Sequence, residues 1–540
     1  MIVPFVLFIF AVVVCVVYEF RGIPMMAPDI LTVQTATSVM GNYTFKLTFE
    51  QYSVILVCMA FFFTFLRLHE VKVTEKRVFH IAGFIVVALG CGLFTNQIIL
   101  SDFMDEHQIN IRMFRPMESY QKYGGVLTFA RSVGYAVVKK PEGYTTAKVD
   151  QIIQEYEKKS ANEQQSTAKQ DPNIITVVNE TFADIKVLGD FKTNEDYMPY
   201  FHSLKKNCVT GYTYASIVGG QTANTEFELL TGNTLGFLSA GTTAFQLYIH
   251  GQMPSLVSNL KAEGYSGNKA MHPFNPYNYN RPAVYKDFGF TDFIDKFDFP
   301  KNVKRVREYI SDEANVDRII SEYEKNRKKT DQPFYMYNMT IQNHSPYDKD
   351  AANFKQPIKI ESSKYDAEAN RYLNLIKYSD DSLKQLTSYF EKCKEPTIIL
   401  FLGDHQPRLT DEFMNKITNG QYQTWSSEQM MKRYQVPFVI WANYDIKEQH
   451  IEKTSMNYIQ SILTKTAGVK MTGYQRFLNE VRKEVPTITS QGYWGKNGKF
   501  YQINDKGSPY YGIIQKYRMI QYNMMFDKKN RRDSFFEVSK

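Results

Sequence analysis

Cysteine is scarce, with five in 540 residues. Cys15, Cys58 and Cys91 fall in apolar stretches, which leaves Cys208 and Cys393 for the rest of the chain. So few exclude a disulfide framework, although a single Cys208–Cys393 pairing stays open, and no spacing matches a zinc-binding motif. The chain also lacks an internal repeat and a nucleotide-binding glycine loop. Charge of one sign is weak: 64 Lys+Arg face 56 Asp+Glu, a net +8 spread along the sequence. That balance favours anionic membranes and substrates mildly, and no nucleic-acid partner is expected. Apolar residues (44%) and aromatics (15%) are plentiful enough for a sizeable core.

Three apolar runs occupy residues 1–20, 52–66 and 78–100. Each approaches the length of a membrane-spanning helix, so residues 1–100 are expected to form an anchor with about three transmembrane helices. Arg67, Lys72, Lys76 and Arg77 cluster between the second and third runs. The positive-inside rule makes that loop cytoplasmic and everything after about residue 101 extracytoplasmic. The expected location is therefore the cell membrane, multi-pass. Met1 is followed by no basic n-region and no small-residue cleavage site, so an anchor is expected rather than a signal peptide, with an upstream segment left open.

Residues 101–171 read as a connector ending in a polar linker, 172–485 as the main domain, and 486–540 as an appended element with a hairpin signal at Asn497-Gly498. The β-branched and aromatic runs at 173–178, 334–340, 397–402 and 437–441 fit strands buried on both faces. Helical spacing appears over 303–325 and 366–392. The alternation indicates an α/β domain with a mostly parallel central sheet.

In such sheets ligands collect at the carboxyl ends of strands. Asn179-Glu180-Thr181 follows the first run and Gly403-Asp404-His405 follows the third. Two carboxylates and an imidazole at one rim would suit Mn²⁺, Mg²⁺ or Zn²⁺. Equally, Glu180 would cap a turn and Asp404-His405 close a loop. The segment Gly219-Gly220-Gln221-Thr222 feeds an expected helix, so Thr222 stands near an N-terminus where an anion is favoured and a hydroxyl could attack phosphorus. The competing reading is that Thr222 or Asn224 is an ordinary N-cap. His272 and Arg281 lie in MHPFNPYNYNR and His344 in NMTIQNHSPY, able to hold phosphate oxygens or carry protons if they meet.

In order, VVNETFAD, GGQTANTEF, MHPFNPYNYNR, NMTIQNHSPY and FLGDHQP resemble the lipoteichoic acid synthase family, phosphoglycerol transferases of the alkaline phosphatase and sulfatase superfamily, over roughly residues 173–481. The resemblance implies a sulfatase-like domain in which Glu180, Thr222, Asp404 and His405 bind a metal, usually manganese, with Thr222 also the nucleophile. It implies that His272, Arg281 and His344 contact the phosphoglycerol head group. The implied donor is phosphatidylglycerol and the implied acceptor a glycolipid or cell-envelope glycan. The chain departs from the family's pattern in three spans rather than five, in Tyr279 where a tryptophan is usual, and in Phe274 where an acidic residue is usual. Relatives that add single phosphoglycerol groups therefore stay open beside those that polymerise. Neither Cys208 nor Cys393 sits in the C/S-x-P-x-R context that sulfatases convert to formylglycine. A phosphoethanolamine transferase shares the chemistry but usually carries several disulfides. A non-enzymatic envelope scaffold would be expected to have lost one of the four site residues.

Overall fold

The structure, a computed structural model, describes residues 2–21, 24–27, parts of 52–64, 77–100, 103–107, 109, 116–136, 138–160, 171–239 and 242–538. Its strands are β1 Asn173–Asn179, β2 Cys208–Tyr214, β3 Ser266–His272, β4 Asp292–Asp295, β5 Arg305–Val306, β6 Tyr309–Ile310, β7 Phe334–Met339, β8 Thr397–Gly403, β9 Gln435–Ala442, β10 Gln449–Ser455, β11 Thr487–Thr489, β12 Gly492–Trp494 and β13 Phe500–Tyr501. Eight form one sheet in the order β10-β2-β9-β8-β1-β7-β3-β4. β9 runs antiparallel to both its neighbours, β2 and β8. Every other pairing is parallel.

The four runs expected as strands became β1, β7, β8 and β9. Every residue of β1, β7 and β8 is buried, as unbroken β-branched and aromatic sequence requires when both faces are covered. On one face Ile175, Val177, Met336, Ile399 and Phe401 pack with Ile319, Leu375 and Leu383 in a single apolar cluster. Those last three belong to the helices Asp312–Arg327 and Ala367–Phe390. The second helix starts where its sequence says it should, because the Asp366 side chain accepts a hydrogen bond from the Ala369 N–H.

The helix expected over 303–325 is shorter at its start. β5 and β6 form a hairpin there, and the helix begins at Asp312, with the Ser311 hydroxyl accepting from the Ala314 N–H. Val306 and Ile310, four residues apart, are buried from the two arms of that hairpin. Arg307 turns the chain at φ 53°.

The chain divides into two compact units, residues 1–139 with 239–242, and residues 140–238 with 243–540. In the first, Ile2–Arg21 is helical. Among the described residues one helix, Ala82–Ile99, is long and apolar enough to cross a membrane, with mean hydropathy 1.8. Much of 52–66 and all of the basic loop 67–76 lie outside the described residues. In the second unit the helix Thr146–Ser160 packs with the C-terminal part: Arg532 pairs with Asp150 at 2.6 Å, and the Tyr156 ring meets Phe477 edge-on at 4.7 Å. β11, β12 and β13 make a small antiparallel sheet, and the Asn497-Gly498 turn joins the last two with Gly498 at φ 76°.

Candidate active site at the carboxyl edge of the sheet

β1 and β8 are parallel neighbours in a register that pairs Asn179 with Gly403. Glu180 and Asp404 are the next residues, so they leave the sheet side by side. Gly403 is required there, since a Cβ would stand 1.8 Å from the Phe182 carbonyl oxygen. β7 and β3 run the same way and deliver Thr340, Asn343 and His344, and His272, to the same edge.

Glu180, Asp404 and His405 are buried, and one donor atom from each lies within 4.8 Å of the others. His405 Nε2 stands 3.2 Å from Asp404 Oδ2 and 3.9 Å from Glu180 Oε1. Asp404 Oδ1 accepts the backbone N–H groups of Thr181 (2.7 Å) and His405 (2.8 Å). His405 Nδ1 donates to the Gln406 carbonyl at 3.0 Å, which in the neutral ring leaves the lone pair on Nε2. Asp404 Oδ2 and His405 Nε2 have no hydrogen-bond partner although fully buried. Two acceptor atoms left facing each other in this way are costly unless a cation joins them, and the donor set of two carboxylates and an imidazole fits one. Burial and the Asp404 carboxylate push the Glu180 carboxyl well above its usual range, partly offset by Arg281.

Thr222 is buried and its Oγ1 reaches Glu180 Oε2 at 3.5 Å. It is the first residue of the helix Thr222–Thr231; Gln221 holds the cap position at φ 64°, its side chain donating to Thr243 rather than capping the helix. The capping alternative thus fails for Thr222, and Asn224 Oδ1 instead accepts from the Ala244 N–H. The preceding turn needs glycine at 219 and 220, which adopt φ 68° and 140°. Two bonds fasten this helix start to the β8 end: Gly219 N–H to the Gln406 carbonyl, and Thr225 Oγ1 to the Asp404 carbonyl at 2.8 Å.

His272 is fully buried with Nδ1 donating to the Met339 carbonyl, and burial, then the Arg281 charge, hold its pKa well below the usual histidine range. His344 is less enclosed; its Nδ1 donates to the Ser345 carbonyl, and its ring stacks on Phe274 at 6.3 Å. Burial lowers its pKa too. Arg281 is 1% exposed and pairs with Glu226. Tyr279 lies under the Arg281 guanidinium at 5.1 Å.

The sulfatase family model matches residues 172–469, more than half of the chain. The chain belongs to the sulfatase family. A Rhizobium meliloti protein named as a candidate cyclic β-1,2-glucan modification protein is 30% identical over 433 residues, 79% of this chain and 65% of the relative. The lipoteichoic acid synthase of Staphylococcus saprophyticus is 24% identical over 374 residues, 66% of this chain and 55% of the relative. The chain thus spans less than two thirds of the length of these relatives. The fold of the phosphoglycerol transferase GacH of Streptococcus pyogenes, solved with sn-glycerol-1-phosphate, superposes with a TM-score of 0.60 at 21% identity, covering 74% of this chain and all of that one. The shared architecture is a sulfatase-like α/β fold.

Sequence reading missed the residues beneath this site. Thr340 Oγ1 accepts the Glu180 N–H at 3.0 Å, and Asn343 Nδ2 donates to the Glu180 carbonyl at 3.0 Å and to Asn179 Oδ1. Asp312, buried, accepts from Asn179 and Ser379. Nothing in the TANTEF stretch itself marks Glu226.

Proposed function

We propose that the chain is a metal-dependent phosphoglycerol transferase that moves glycerol phosphate from phosphatidylglycerol to a cell-envelope glycan or glycolipid through an adduct on Thr222. The observation that carries this reading is the pair of buried, partnerless acceptors, Asp404 Oδ2 and His405 Nε2, beside the Thr222 hydroxyl and Glu180. Glu180, Thr222, Asp404 and His405 would hold the ion. Mn²⁺ is the proposed one, and Mg²⁺ or Zn²⁺ also suits mixed oxygen and nitrogen donors. When bound, such an ion supplies positive charge that favours the alkoxide of a coordinated hydroxyl and offsets charge on phosphate oxygens.

The chain's own residues supply the rest. Thr222 Oγ attacks phosphorus as the P–O bond to diacylglycerol breaks in line, and diacylglycerol leaves with a proton. The acceptor hydroxyl then gives up its proton and attacks the same phosphorus, the Thr222 O–P bond breaks, and Thr222 regains its proton. His344 is the proposed proton carrier. Its Nδ1 is committed to a carbonyl and it is less enclosed than His272, whose charged form burial disfavours more strongly. His272 and Arg281 would hold the head group. The glucan-related name of the 30% identical relative supports a glucan among the acceptors. The N-terminal apolar helices would anchor the catalytic unit on the extracytoplasmic side, next to a lipid donor.

The test is diacylglycerol release from fluorescent phosphatidylglycerol by full-length protein in lipid, with Mn²⁺, Mg²⁺ or chelator, for wild type and Thr222→Ala. Metal-dependent release that vanishes in the variant is expected. A folded, metal-loaded wild type that releases nothing overturns the donor assignment.

A further inference from the structure

Glu226 sits in the helix that begins with Thr222, one turn further on, and both it and its ion-pair partner are sealed from solvent: the side chains of Arg281 and Glu226 are 2% and 0% exposed. Its carboxylate is saturated. Oε1 accepts from Arg281 Nη2 at 2.7 Å and Nε at 3.1 Å, and Oε2 accepts the hydroxyls of Tyr337 (3.1 Å) and Tyr285. A carboxylate offers about four acceptor sites, and four donors fill them. Glu226 therefore has nothing left to offer a ligand.

Arg281 is in the opposite state. Of the five N–H donors of a guanidinium, two go to Glu226, and Nη1 makes a long bond of 3.4 Å to the Asn278 carbonyl. One strand ties this pair to His272: the Tyr337 hydroxyl of β7 reaches Glu226, and the carbonyl of Met339, two residues further along β7, accepts from His272 Nδ1. His272 contributes the complement, because with Nδ1 committed to Met339 its Nε2 is an acceptor. A fixed donor beside a fixed acceptor suits a hydroxyl, which both gives and receives a hydrogen bond. The local charge is meanwhile cancelled by Glu226.

We infer that Glu226 is the positioning residue of the head-group site: it locks the Arg281 fork beside His272, so that the site selects a neutral, hydroxyl-bearing head group on the phosphodiester. This rests on the phosphoglycerol transferase reading and names what that reading leaves open, the device that tells one head group from another. Fixing the fork on the nucleophile's own helix also ties head-group recognition to the position of Thr222. A small displacement of either would be felt at phosphorus.

The experiment compares two donors that differ only in the head group, phosphatidylglycerol and phosphatidylmethanol, by diacylglycerol release from full-length protein in lipid with Mn²⁺. Wild type is expected to prefer phosphatidylglycerol by at least ~10²-fold in kcat/KM, because a site built for hydroxyls leaves buried polar groups unpaired without them. Glu226→Gln keeps the shape and drops the charge. It should cut the phosphatidylglycerol rate on the order of 10²-fold, so that the preference shrinks to under about tenfold. Tyr337→Phe, which leaves the ion pair intact, should show the same trend more weakly and serves if Glu226→Gln fails to fold. A wild type without preference, or variants that slow both donors equally, overturns the inference while leaving the transferase reading standing. A wild type that cleaves neither donor sinks the transferase reading itself.

Discussion

Two buried acidic groups stand at the same edge of the sheet and are treated in opposite ways. Glu226 is filled by four donors, two of them from one buried guanidinium. Glu180, Asp404 and His405 crowd within 4.8 Å and leave two of their atoms without any partner. Both clusters are equally dry, so burial alone does not separate a structural carboxylate from a ligand. Satisfaction does: a filled group positions its neighbours, whereas a set of facing acceptors fits a cation. Glu228, also in the Thr222–Thr231 helix, is a third case. It is buried and accepts from the Ser216 and Thr234 hydroxyls and the Leu235 N–H without any cation, and burial pushes its pKa up to about 7.

Four substitutions test the contrast, in order of expected effect. Thr222→Ala should lower phosphatidylglycerol turnover by ~10³-fold or more, as loss of a covalent nucleophile does, in a protein whose circular dichroism is unchanged. Asp404→Asn should abolish measurable Mn²⁺ binding by calorimetry. In metal-free protein, however, it should leave Tm unchanged or raised, because the amide can donate to His405 Nε2 and no longer repels Glu180. A drop in metal-free Tm would mean that the trio is a structural cluster like that of Glu226.

Glu228→Gln tests the intermediate case through pH. The folded pKa of Glu228 lies above that of the unfolded chain, so the folded state holds the proton more tightly. Its contribution to stability is largest below about pH 4.5 and is lost as pH rises through about 7, by roughly 3 kcal/mol at most. Denaturant titrations at pH 5 and pH 8 should show this slope in wild type and a flatter one in Glu228→Gln. The smallest effect is expected of Asn343→Ala, which removes the amide that fixes the Glu180 carbonyl. It should weaken Mn²⁺ binding by roughly 10-fold, the lower range for groups that support metal ligands, with Thr340 still holding the Glu180 N–H.

The legible parts of the fold were those with unmixed local signals. β1 and β8 read directly from NIITVV and TIILFL because both faces of each are buried. β3 (SGNKAMH) and β2 (CVTGYTY) passed unseen: their polar, glycine-containing sequences are held in the sheet by neighbours rather than by their own pattern. The hairpin before Asp312 hides within the helical spacing of 303–325, because its short arms bury Val306 and Ile310, four residues apart. At the site, residues directly after strong strands could be found from the rule that ligands gather at carboxyl ends. Glu226 could not, since its partner Arg281 is 55 residues away and nothing local marks the pair.

The central claim is a covalent adduct on Thr222, and the direct measurement is mass spectrometry of acid-quenched, full-length protein after reaction with phosphatidylglycerol and Mn²⁺ in the absence of acceptor. The account predicts one glycerophosphoryl group on the peptide that contains Thr222, lost when a glucan acceptor is added. Diacylglycerol released over many turnovers with Thr222 unmodified at every quench time would contradict it and point to direct attack on the lipid by the acceptor or water.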